Sequence, residues 1–84
     1  MTHFWPEGAL IQVEADSLWT PQCLTWQGEV HPVEQVNERW RVDEEWWRGR
    51  VWREYFILTT STGLLVELFH DLLGGEWYVQ RVYD

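Results

Sequence analysis

Crowded tryptophans constrain this chain more than any other feature of its sequence. Eight of the 84 residues are tryptophan, and Trp40, Trp46, Trp47 and Trp52 fall in one short stretch. A large aromatic side chain hides about 150–250 Å² of surface when it is buried. A chain of this length buries roughly 60% of the surface that it exposes when unfolded, so its interior is small. Either the indoles cover a thin sheet, or some of them face outward as a contact surface.

The charge of the chain disfavours a nucleic-acid or membrane partner. Fourteen acidic residues stand against six arginines, lysine is absent, and the formal net charge is −8. Proteins that bind phosphate backbones need clustered cations, and a negative field repels nucleic acid and anionic membranes. The same net charge keeps a small domain soluble.

Cysteine usage and the apolar pattern indicate a soluble cytoplasmic protein. Cys23 is the single cysteine, so an internal disulfide is impossible. No apolar run approaches the roughly 20 residues that span a bilayer. The first residues, beginning Met1-Thr2-His3, lack the basic and apolar regions of a signal peptide.

Turn signals divide the chain into strands, and no window sustains a helical apolar period. The predicted strands cover residues 9–14, 22–26, 29–42, 50–60, 64–70 and 76–83. Residues 61–63 predict a three-residue hairpin loop with Gly63 in a left-handed conformation. Asp43, Glu44 and Glu45 predict a hydrophilic break after the third strand.

The strand at 50–60 is apolar on both faces, which places it at the centre of the fold. One face carries Trp52, Phe56 and Leu58, and the other carries Val51, Tyr55 and Ile57. A sheet with one solvated side shows a single apolar face. We therefore expect a single all-β domain over residues 1–84, a strongly bent antiparallel meander or partly open barrel of about six strands with a Trp-rich core.

Residues 39–53 interleave aromatic side chains with five of the six arginines. Three interpretations are open: internal cation–π and salt-bridge packing, a protein interface, or a stacking platform for single-stranded nucleic acid. Internal packing carries the most weight for the segment as a whole. The missing lysines and the acids within the segment argue against nucleic acid.

Neighbours on a strand face opposite ways, so Trp46 and Trp47 are hard to bury together. We therefore predict a partner-binding site at an exposed turn, and expect other tryptophans in the core. The predicted site residues are Trp46, Trp47, Arg48 and Arg50, and the predicted core residues are Trp40, Trp52 and Trp77.

No constellation of residues supports catalysis. His70 and Asp71 are adjacent and point to opposite faces of a strand, so Asp71 is expected to nucleate a turn rather than orient the imidazole. The three histidines and Cys23 lack the paired spacings of a zinc site. We expect no catalytic residues, no metal and no cofactor, and a protein that is not an enzyme.

The C-terminal half resembles a family of small bacterial domains. Its motifs are R-W-R-V from Arg39, W-W-R from Trp46, an aromatic strand around Tyr55, L-F-H-D from Leu68, and W-Y-V-Q-R-V-Y-D from Trp77. This order resembles domains of unknown function that accompany, or end, proteins related to the Y-family translesion DNA polymerases. The resemblance covers residues 38–83 and implies a bacterial accessory protein in DNA damage tolerance, with no catalytic residues to carry over.

These observations favour a non-enzymatic protein-interaction module, an adaptor for a DNA repair or translesion synthesis assembly. The expected partner is a protein related to the Y-family polymerases. Single-stranded nucleic-acid binding through the same aromatic and arginine patch and a small-molecule pocket inside the bent sheet are the alternatives. Homodimerisation through an edge strand is also open.

Overall fold

The part of the chain that the structure describes forms seven strands. The computed structural model describes residues 2–47 and 49–84, except for the side chain of Trp46. The strands are β1 (Thr2–Leu10), β2 (Gln12–Ala15), β3 (Pro21–Trp26), β4 (Glu29–Trp46), β5 (Gly49–Thr60), β6 (Leu65–Asp71) and β7 (Trp77–Tyr83). All pairings between them are antiparallel. The predicted all-β class is confirmed.

The sheet curls into a half-barrel because the N-terminal segment that forms β1 and β2 bends and pairs at both edges of the sheet. The strand order is β1-β7-β6-β5-β4-β3-β2, so β1 and β2, which are consecutive in sequence, lie at opposite ends of the order. Ile11 separates them, and its backbone N–H donates to the carbonyl oxygen of Trp77 at 3.1 Å. The predicted bent meander or partly open barrel is confirmed.

The core fills the concave face of the curled sheet. Its fully buried side chains come mainly from the three central strands: Phe56, Leu58, Val66, Leu68, Val79 and Val82. Trp77 is also buried and lies 5.5 Å from Phe56 between ring centroids. Trp5 and Val13 from the N-terminal strands pack against this cluster. Burying each large apolar side chain contributes about 1.5–3 kcal/mol, so the central strands supply most of the stability.

The convex face carries a row of aromatic rings, one from each of four neighbouring strands. Trp40 stacks on Tyr55 with centroids 5.2 Å apart, and Tyr55 lies 5.2 Å from Phe69. Phe69 stacks on Tyr78 at 5.0 Å. We call Trp40, Tyr55, Phe69 and Tyr78 the aromatic row. Gly8 of β1 lies over its far end, where a Cβ atom would come within 2.9 Å of the Phe69 ring.

Three sequence expectations need correction. The predicted hydrophilic break at 43–45 is wrong, because β4 continues through it and pairs Asp43 with Trp52 of β5. The predicted strand at 9–14 is also wrong, because it is divided at Ile11 between the end of β1 and the start of β2. β1 itself begins at Thr2, and a register shift between Phe4 and Ala9 accommodates the irregular residues between them.

Trp40 is not a core residue but lies on the convex face, where 37% of its surface is exposed. Its neighbours Arg39 and Arg41 point to the concave face, so the alternation of the strand turns Trp40 outward. Trp77 is in the core as predicted, and Trp52 is half-buried.

Candidate functional site at the β4–β5 hairpin

The ends of β4 and β5 form a two-stranded arm that projects beyond the rest of the sheet. Pairing of β5 with β6 begins at Arg53 and Asp71, whereas pairing of β5 with β4 continues to Gly49 opposite Trp46. We call residues 43–52 the arm. Gly49 has a φ of 141°, a conformation that side chains disfavour, so glycine suits the end of the turn.

Arg50 braces the arm from one face. Its Nε and Nη2 atoms donate to the two carboxylate oxygens of Asp43 at 3.0 and 2.9 Å. The guanidinium carbon also lies 4.7 Å from the centroid of the Trp52 ring. A bidentate arginine–carboxylate pair fixes both distance and plane, and stacking on the indole restrains the guanidinium further. The arm is therefore pre-ordered below its tip.

This pairing sets the electrostatics of the arm. The hydrogen bond from Arg50 is the largest cause that lowers the pKa of Asp43, and the positive charges of Arg50 and Arg41 add to it. The same hydrogen bond raises the pKa of Arg50. The lowered pKa of Asp43 favours its ionised form, which accepts both hydrogen bonds from Arg50.

Trp47 stands at the tip of the arm with 85% of its surface exposed. It lies in the turn between the two strands, the region in which the partner-binding site is predicted. The backbone of Trp46 ends β4, but its side chain and the whole of Arg48 lie outside the described residues. Arg50 belongs to the same arm and is engaged with Asp43 and Trp52 rather than reaching outward.

A buried carboxylate anchors the base of the arm. The Glu54 side chain is only 8% exposed and accepts hydrogen bonds from Arg39 at 2.9 Å and Arg41 at 3.3 Å. Burial acts to raise the pKa of Glu54, but the two arginines outweigh it and the net shift is downward. Arg39 also donates to the Leu18 carbonyl oxygen and the Thr20 hydroxyl, which ties the β2–β3 loop to β4 beside the base of the arm.

Much of the segment at residues 39–53 fits the first of the three interpretations, in which its arginines pack internally. Besides the contacts above, Arg53 lies 4.4 Å over the Phe69 ring and donates to the Tyr55 hydroxyl at 3.3 Å. Arg39 also lies 5.0 Å over the Phe56 ring. The described arginines of the segment therefore have internal partners, and Trp47 differs from them in its exposure.

A ring stack beside the base of the arm was not anticipated from sequence. His70 is buried and stacks on Trp77 with centroids 4.3 Å apart, and the Trp19 ring lies 5.1 Å from the imidazole at a tilt. Burial lowers the pKa of His70. Asp71 accepts a hydrogen bond from the Leu73 backbone N–H at 3.1 Å, so it organises the following turn as expected. Trp19 has a φ of 61°, a backbone geometry that its sequence neighbours do not signal.

Within residues 2–47 and 49–84, no three His, Cys, Asp or Glu side chains lie together as they would around a metal ion. The described part of the chain also contains no helix with the length and apolar character to cross a bilayer.

Comparison with known proteins finds a similarity to Protein ImuB. The chain is 28% identical over 80 residues to Protein ImuB of two Caulobacter vibrioides strains, NA1000/CB15N and ATCC 19089/CB 15. The alignment covers 77% of this chain but 17% of each relative, so the chain spans about a sixth of their length. No family model matches the chain, and no solved structure matches it.

Proposed function

We propose that this chain is a non-enzymatic interaction module, an adaptor in bacterial DNA repair or translesion synthesis, that binds a protein partner through Trp47 at the tip of the arm. The link to DNA damage rests on the similarity to Protein ImuB and on the resemblance of residues 38–83 to domains that accompany Y-family polymerase relatives. The partner that fits both is a polymerase-like or repair protein.

The observation that carries the proposal is a large indole held out on an ordered support. Trp47 is 85% exposed, whereas Asp43, Arg50 and Trp52 fix the strands below it through a bidentate ion pair and a ring contact. Tryptophan and arginine are enriched among residues that dominate interface energies. A rigid support also lowers the ordering cost of binding, because little freedom is lost at the anchor.

The charges of the arm favour a protein over a nucleic-acid partner. Arg50 is neutralised by Asp43, and Glu44 and Glu45 lie beside them on β4. A nucleic-acid surface gains affinity by releasing counterions from phosphates, which requires cations without such partners. We therefore expect a single-stranded oligonucleotide to leave the tryptophan fluorescence of this chain unchanged at low salt.

The test is capture of partners by the tagged chain from a lysate of its native bacterium, with identification by mass spectrometry. Trp47→Ala is the test variant. Val30→Ala is its control, because Val30 is an exposed apolar residue at the opposite end of β4. The proposal expects a polymerase-like or repair protein with the wild type and Val30→Ala, and its loss with Trp47→Ala.

Two outcomes would contradict the proposal. Equal capture by all three proteins would remove Trp47 from the interface. Capture of no such protein, together with stabilisation of the chain by a small ligand in thermal unfolding, would favour the pocket alternative. A recess of about 340 Å³ lined by Trp5, Pro6, Glu7 and Gly8 is where such a ligand would be sought.

A further inference from the structure

Among the residues that the structure describes, no strand pairs with the outer edge of β4 along most of its length. β3 pairs with β4 only as far as Pro32, whereas β5 pairs with the other edge from Val33 to Trp46. Among the described residues, this leaves the backbone groups of one edge open over the second half of an 18-residue strand. Such an edge is a template for another strand.

The charges along this edge are self-complementary in one antiparallel register. If two copies of β4 pair about a twofold axis at Val42, Arg41 of one copy lies opposite Asp43 of the other, and Arg39 lies opposite Glu45. Shifting the axis two residues towards the N-terminus would oppose the two arginines, and the opposite shift would oppose the two acids. Opposite charges across a strand pair stabilise it and like charges destabilise it.

The central pair of this register, Arg41 and Asp43, is accessible, and both side chains can accept a second partner. Arg41 is 55% exposed and Asp43 is 50% exposed, although each already has an internal ion pair. A guanidinium has five N–H donors and a carboxylate has about four acceptor sites. The hydrogen bond that Arg41 donates to Glu54 and the two that Asp43 accepts from Arg50 therefore leave both groups able to form more. The charged residues share the concave face of β4, as their contacts with Glu54 and Arg50 establish.

The convex face of the same edge offers apolar surface. Val42 is half-buried and Trp40, at the end of the aromatic row, is 37% exposed. Across the twofold axis, Val42 would meet Val42 of the second copy, with a Trp40 ring diagonal to it on each side. In this register Trp40 of each copy would lie opposite Glu44 of the other, and Val42 and Trp40 would both lose solvent contact.

We propose that β4 is a homodimer interface, in which two copies pair edge to edge about Val42 to form one continuous sheet. The occupant of the edge is a second copy of this chain because the charge pattern matches itself in one register. This inference does not rest on the function proposed for Trp47, since the paired segment, residues 38–46, stops before that residue.

The experiment is sedimentation equilibrium of the full chain with a charge-exchange pair of variants. Arg41→Glu and Asp43→Arg each place like charges opposite one another in their own homodimers, but an equimolar mixture of the two restores both attractions. The wild type is expected at twice its 10.2 kDa mass. Each variant alone should dissociate roughly tenfold or more readily, and the mixture should regain the wild-type association.

A third variant avoids the internal ion pairs. Val42→Lys places two ammonium groups opposite each other at the axis and should also give monomers, while circular dichroism of all variants reports whether the sheet is retained. A wild type that remains a monomer at every concentration would overturn the proposal and leave the edge to an extended segment of another protein. Wild-type dimers that survive all three substitutions, or a mixture that fails to associate, would overturn it as well.

Discussion

Replacing Gly8 with alanine should destabilise the fold by about 2–5 kcal/mol. Two costs add at this position. Gly8 has a φ of 84°, and an L-residue in a left-handed conformation costs roughly 1–2 kcal/mol. A Cβ atom would also lie 2.9 Å from Phe69 and 3.1 Å from Tyr78. The Phe69 ring is buried within the aromatic row and cannot move aside, so overpacking adds about 1–3 kcal/mol.

A comparison with Gly28→Ala isolates the cost of overpacking. Gly28 has a similar φ of 80°, but nothing lies within 4 Å of its Cβ position. Urea unfolding followed by tryptophan fluorescence should therefore place Gly8→Ala about 1–3 kcal/mol below Gly28→Ala, and its Tm about 4 °C or more lower. Equal free energies of unfolding would refute the close approach of β1 to the aromatic row.

Three further predictions concern single side chains and their protonation. Trp47→Ala should change the free energy of unfolding by no more than about 0.5 kcal/mol, whereas Trp77→Ala should cost about 3–5 kcal/mol, as urea unfolding would measure. The pKa of Glu54 is lower in the folded state, so its stabilisation is present above the unfolded pKa of about 4.3 and is lost as pH falls through the folded pKa. Glu54→Gln should therefore flatten the acid limb of a plot of stability against pH. Burial lowers the pKa of His70, so stability should also fall as pH drops below about 6.5, and His70→Phe, which keeps a ring against Trp77, should reduce that fall in thermal scans at a series of pH values.

Strand periodicity and turn chemistry were enough to predict the fold class and most of the strands. The turn formed by Thr60, Ser61, Thr62 and Gly63 illustrates why. Its Gly63 backbone N–H donates to the Thr60 carbonyl oxygen at 3.1 Å, a contact between close neighbours in sequence. The strand predicted to be apolar on both faces is β5. One of its faces contributes to the core and the other to the aromatic row. Local signals suffice where the deciding contacts are local.

The misjudged features depend on contacts between distant residues. Asp43 reads as part of a polar break, yet it stays in β4 because Arg50 of the next strand holds its carboxylate. Trp40 is predicted to lie in the core, whereas its face of the strand is set by the pairing of Arg39 with buried Glu54. The β2–β3 loop that places Trp19 over His70 carries no periodic pattern at all.

The most direct test of the central claim is photo-crosslinking from position 47 in living cells of the native bacterium after DNA damage. A photoreactive phenylalanine analogue would replace Trp47 in one protein and Val30 in its control, and the adducts would be identified by mass spectrometry. The proposed function predicts a covalent adduct with a polymerase-like or repair protein from position 47 and none from position 30. No such adduct from position 47, or the same adduct from both positions, would contradict the assignment of Trp47 as the anchor of an interaction site.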